Sequence, residues 1–315
     1  MILVLVPLVL VLIVGCLFFP PHNWDYRAFW LLHAKIIKKY HTWKVVDYTD
    51  KHRYLPARDY SPFYYLALTL TGSRRTIPLL SFLLLLWLMW DYTHSIIPIL
   101  VLASIPGLYT VNTGGVPGGQ ADFTLGVFYF GAITCLMRGD WLGGALWLTL
   151  CLYTKNEGIP LYVLSLPCFL RLEALPYIFL PLLLFLPWLV VKRGIAGQIT
   201  DTSYDGIFRR TVCNFWGRRK LLPRILWLTF LHFTKFCVWG LLPVILVITI
   251  RTVSPIHFIV LVYYCVIVAV YMSVGLSHVK AGPELEFGYN ATDPGASFFR
   301  LMLHVIPLLV VTMEV

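Results

Sequence analysis

The stretch WLGGALWLTLCLYTKNEGIPLYVLSLPCFL, residues 141–170, holds two apolar runs joined by the polar turn TKNEG. Neither run alternates with period two, and each is long for a buried strand, so both read as helices in an apolar surrounding. Lys155 and Glu157 frame the turn, and a charge at such a boundary is costly unless it is solvated, paired or used. Moving outward from it, three further acids hold the same kind of position: Asp25 in NWDYRAFW, Asp59 in ARDYSP and Asp122 in GGQADF. Four boundary carboxylates interleaved with basic residues point to one polar site at one face of a membrane bundle.

Composition carries the same frame through all 315 residues: 59% hydrophobic, 13% charged, mean hydropathy +0.77. Soluble domains lie far from these values. The chain reads as an all-α polytopic integral membrane protein, a single domain over 1–315. Runs suited to crossing about 30 Å of hydrocarbon centre on 1–19, 76–90, 95–111, 123–137, 141–154, 158–170, 176–191, 238–251, 255–275 and 300–314, giving about ten transmembrane helices; several are shorter than the roughly 20 residues of a perpendicular span, and for two of the middle ones a re-entrant form or pairing through a shallow turn is the alternative. The opening MILVLVPLVLVLIVGCLFF lacks the basic start and cleavage site of a secretory signal and reads as a retained first helix. Six of the seven cysteines fall in or beside apolar runs and read as packing residues; Cys213 is in a polar segment.

Two polar segments, 20–75 and 192–237, read as interfacial. In RAFWLLHAKIIKKYHTW, Phe29, Leu32, Ile36 and Ile37 share one helical face, with Arg27, Lys35, Lys38 and Lys39 largely opposite. Alternation of spans puts both segments, the 112–122 loop, the TKNEG turn and the 276–299 loop on one side, with 21 of the 25 Lys and Arg. The positive-inside rule would make that side cytoplasmic, whereas a basic face that binds anionic lipid head groups suits the opposite orientation. The sequon Asn290-Ala291-Thr292, if used, places its loop outside.

The order WDYRAFWLLHAK, RDYSP, GGQADFTLGVF, LYTKNEGI, TDPGASFFRLMLHVIPLL resembles the polytopic GT-C glycosyltransferases, in particular the branch of dolichyl-phosphate-mannose protein mannosyltransferases and bacterial aminoarabinose transferases. The resemblance runs from about residue 20 to the end. It implies inverting transfer of a sugar from a polyprenyl-phosphate donor to a protein, lipid or glycan acceptor at the extracytoplasmic face of a plasma or endoplasmic reticulum membrane. Asp25 matches the family's catalytic aspartate in the first outer loop. Tyr26 stands where many relatives carry a second acid, and the large soluble C-terminal domain of many relatives is not expected here.

The residue chemistry fits this scheme. An inverting transfer needs a base for the acceptor's proton and cations for the departing phosphate. Asp25 is the candidate base; a cap on the helix that follows it is the alternative. Asp59, Tyr60, Asp122, Lys155, Glu157 and Arg300 are candidate substrate-binding residues, with Lys155 and Arg300 as phosphate contacts. The alternatives are an exposed ion pair for Asp59, an N-cap for Asp122 and a turn-closing pair for Lys155 and Glu157. None of the nine histidines has metal-ligand spacing, so neither metal nor other cofactor is expected, and no nucleic-acid partner. A lipid-linked-glycan flippase is the competing reading, but it calls for polar residues at mid-membrane. A non-catalytic subunit of a membrane complex is a third.

Overall fold

The computed structural model describes residues 6–7, 10–11, 13–14, 30–41, 61–71, 76–109, 115–119, 121–195, 216–249, 254–279 and 295–312. Among them there is helix and no strand. The helices are α1 (Leu31–Tyr40), α2 (Phe63–Thr71), α3 (Thr76–Thr93), α4 (Ile97–Ala103), α5 (Ala121–Met137), α6 (Trp141–Thr154), α7 (Gly158–Ser165), α8 (Leu180–Ile195), α9 (Leu222–Phe233), α10 (Phe236–Trp239), α11 (Leu242–Thr249), α12 (Pro255–Val279), α13 (Gly295–Met302) and α14 (Ile306–Val311).

At the centre stands α5, in which every residue but Cys135 and Met137 is buried. The turn Arg138–Gly139–Asp140, with Gly139 at φ +82°, sends α6 back alongside it. Asp140 caps α6, its Oδ1 accepting from the Gly143 amide at 2.9 Å. On the other flank, Ser81 of α3 and Thr124 of α5 share a hydrogen bond of 2.8 Å. The outer elements α7, α8, α9, α12, α13 and α14 pack around this core.

The outward surface is as apolar as the inside. In α3 the exposed residues Leu80, Leu83, Trp87 and Trp90 form a stripe at helical spacing, and Phe82, Leu85 and Met89 are buried on the opposite face. In α8, Leu183, Leu186 and Val190 face out while Phe185 and Trp188 face in. A helix that is apolar all round suits a hydrocarbon surrounding, not water. Three segments, Thr76–Thr93, Leu172–Val191 and Pro255–Met272, are long and apolar enough to cross a membrane.

Several other apolar runs are short or broken. The runs over 123–137, 141–154 and 158–170 form helices shorter than 18 residues. The run over 95–111 is α4 followed by a 3-10 turn at Pro106–Tyr109. That over 238–251 breaks at Gly240, whose φ is +58°. That over 300–314 is α13 and α14 parted by a turn at 303–305, with Pro307 at the start of α14. Proline supplies no amide to continue a helix and glycine tolerates the left-handed break, so local chemistry overrides hydropathy at these points.

The α1 helix is amphipathic as read: Ile36 and Ile37 are buried, Lys35, Lys38 and Lys39 exposed. It packs on α2, where Trp30 meets Tyr64 edge-on at 5.2 Å and the Tyr64 hydroxyl donates to the Gly119 carbonyl at 2.6 Å. This small layer therefore covers the end of the bundle at which α5 begins. Of the 192–237 segment, residues 192–195 continue α8, and the later described residues include the 3-10 turn Trp216–Leu221, the start of α10, and α9, which buries Ile225, Thr229 and His232 and exposes Trp227 and Phe230. The five described cysteines are free thiols.

Where helices meet inside hydrocarbon, lipid contact is lost for protein contact of similar polarity, so close packing and polar contacts decide association. Gly126 is one such close approach: a Cβ there would lie 2.3 Å from the Leu303 carbonyl oxygen and 3.1 Å from the His304 Cα. Replacing Gly126 with Ala must displace the 303–305 turn, at a cost of about 1–3 kcal/mol. Thermal unfolding of purified protein in detergent is expected to show a clearly lowered midpoint, and an unchanged midpoint would refute this account of the packing.

Candidate functional site

The break between α13 and α14 and the turn between α6 and α7 both arrive at the first turn of α5, and five charged or ionisable side chains converge there. Asp122 is the second residue of α5 and is buried. Its Oδ1 accepts from Lys155 Nζ at 2.8 Å and lies 3.2 Å from His304 Nε2, while Oδ2 is 3.7 Å from Arg300 Nε. Lys155 Nζ is also 2.8 Å from Glu157 Oε1. His304 Nδ1 is hydrogen-bonded to the hydroxyl of Tyr263, on α12.

With hydrogen on Nε2, the His304 ring donates to the carboxylate and accepts from the Tyr263 hydroxyl at Nδ1, an arrangement that satisfies all three groups. The two carboxylates, Asp122 and Glu157, are matched in number by the two cations Lys155 and Arg300. Balance is what makes it tenable, because an unpaired charge at this depth is strongly unfavourable.

Exposure divides the cluster into an inner and an outer part. The side chains of Asp122, Lys155 and His304 are 3%, 5% and 0% exposed, against 20% for Glu157 and 27% for Arg300. The outer pair are the groups that reach the surface, and Glu157 Oε2 is buried without a hydrogen-bond partner among the described residues.

Four of the candidates from the sequence, Asp122, Lys155, Glu157 and Arg300, are thus in one place. Asp122 does not cap its helix: it sits within the first turn, and its oxygens face cations, where it also complements the helix N-terminus. Lys155 is clasped by two carboxylates instead of standing open to a lipid phosphate. The pairing of Lys155 with Glu157 does close the turn, but it belongs to the larger cluster. Asp25, Asp59, Tyr60 and the Asn290 sequon lie outside the described residues. No group of three or more potential metal ligands occurs among the described residues.

The sequence reading missed His304, Tyr263 and Gly126. Gly126 follows Asp122 by four residues on the same helical face, and His304 follows Arg300 by four in sequence, a spacing that marks each for attention. No protein-family model, curated protein or solved structure matches the chain.

Replacing Lys155 with Met leaves Asp122 and Glu157 without their shared ammonium, and Asp122→Asn strips Lys155 of its nearest buried partner. Each single change is expected to lower stability by about 3–5 kcal/mol, as for other broken buried pairs. The double variant should lose less than the sum of the two. A double-mutant cycle on unfolding in detergent measures the coupling, and additive losses would refute the pairing.

Proposed function

We propose that this chain is a GT-C-type membrane glycosyltransferase of about ten spans that moves a sugar from a polyprenyl-phosphate donor to an acceptor at the extracytoplasmic face. The observation that carries the reading is convergence. GGQADF, TKNEG and ASFFRLMLH are far apart in sequence, each resembles a family motif, and Asp122, Lys155, Glu157, Arg300 and His304 bring all three into one cluster. Trp30, five residues after Asp25 in the sequence, packs against Tyr64, which is tied to Gly119.

In this proposal Asp25 accepts the proton of the acceptor hydroxyl as its oxygen attacks the anomeric carbon. The bond from that carbon to the phosphate oxygen breaks, and its electron pair leaves with the phosphate. Arg300, the most exposed cation of the cluster, meets the charge that develops on the departing phosphate. Lys155 and His304 act one step removed: they hold Asp122 ionised and in place, which orients Arg300. Glu157, with an unused buried oxygen, is placed to accept from a sugar hydroxyl.

Asp25→Asn keeps the side chain's size and removes its basicity, so sugar transfer by purified protein should fall on the order of 100-fold or more with the melting point retained. Arg300→Gln should lower turnover at saturating donor as well as donor affinity, because the contact strengthens as charge develops. Equal turnover in either variant removes that residue from its role. Lipid movement in vesicles without any transfer or donor hydrolysis by the parent protein identifies a transporter instead.

The orientation has its own test. In a cysteine-free background, Lys38→Cys lies on the exposed face of α1 at the Asp122 end, and Glu173→Cys is exposed at the other end. An impermeant thiol reagent on intact cells should label the first and reach the second only after the membrane is opened. The reverse pattern puts the site on the cytoplasmic face.

A further inference from the structure

At the end of the bundle away from Asp122, where α5 ends and α6 begins, a cavity of about 420 Å³ opens between α7 and α12. Its walls are apolar, among them Leu164, Ile259 and Trp141. Val163 and Phe258, both more than half exposed, form a rim that opens sideways toward the hydrocarbon. One cation stands on its lining: the Arg171 guanidinium lies over the Trp141 ring, 5.8 Å from the centroid.

Nearby charges are committed elsewhere. Arg138 is paired with Asp91, and Asp140 is bound to the start of α6. Glu173 is exposed and does not line the cavity, and no carboxylate is within ion-pair distance of Arg171 among the described residues. An apolar slot open to lipid, with an uncommitted guanidinium and a tryptophan at the depth where a helix begins, matches an amphiphile with a hydrocarbon chain and an anionic head.

We propose that this cavity is a binding site for one anionic phospholipid, its chain between α7 and α12 and its phosphate on Arg171. The inference is independent of the sugar-transfer reading. On the orientation proposed above, this end faces the cytoplasmic leaflet, where anionic lipids reside. Ordinary boundary lipid would fill an apolar groove without regard to head group, so selectivity is the property that defines the site.

The test compares full-length protein, Arg171→Gln and Val163→Trp in nanodiscs of phosphatidylglycerol and phosphatidylcholine with matched chains. Bound lipid retained through purification is read by native mass spectrometry. The parent should retain phosphatidylglycerol in preference to phosphatidylcholine. Arg171→Gln should weaken that preference about five-fold, the factor equivalent to about 1 kcal/mol per basic residue at an anionic surface. Val163→Trp, which fills the rim from an exposed position, should reduce retention of both lipids. A parent without head-group preference, or an undiminished preference in Arg171→Gln, overturns the proposal, as does unchanged retention in Val163→Trp.

Discussion

The structure depends on a single buried carboxylate. Asp122 occupies the first turn of the most enclosed helix, and a lone anion there is tolerated only if cations are brought to it. Lys155 comes from the end of α6, Arg300 from α13, and His304 from the break before α14. Three connections that hydropathy alone leaves free are thereby fixed in position. The close approach at Gly126, one turn along α5, is the steric counterpart of the same arrangement, since only a residue without a side chain leaves room for the 303–305 backbone.

This explains the two chain breaks at the polar end of the bundle. Along the helices between the ends, apolar surfaces meet lipid or each other with little distinction, and helical bonds satisfy the backbone. At the Asp122 end, chain breaks at 155–157 and 303–305 deliver side chains that an unbroken helix cannot. The resulting group has two carboxylates matched by two cations, an inner part committed to structure and an outer part in Arg300 and Glu157 that reaches the surface. Such a division lets a site present charge to a ligand without itself being unstable.

Much of this was legible in the sequence. The apolar runs within the described residues are helical, α1 buries Ile36 and Ile37 and exposes Lys35, Lys38 and Lys39 as expected, and Asp122, Lys155, Glu157 and Arg300 were marked by being charged at boundaries. The splitting of the runs was less legible, because a hydropathy window averages over Pro106, Gly240 and Pro307, where one backbone group decides the outcome. The meeting of Asp122 with His304 was not legible at all: pattern reading works over the few residues of a helical turn, and nothing within that range reports a partner 182 residues away. His304 was passed over because its spacing was tested only against metal sites.

The partners of Asp122 differ in when they arrive. Lys155 follows Asp122 by 33 residues and the His304 partner by 182. At about 5–20 residues per second of synthesis, these separations correspond to roughly 2–7 s and 9–36 s. Through that interval α5 must be held in the membrane with its carboxylate served by lysine alone, supplied by the very next helix. The α5–α6 hairpin therefore carries the first counterion for Asp122, and the second cation, Arg300, joins only with the C-terminal segment.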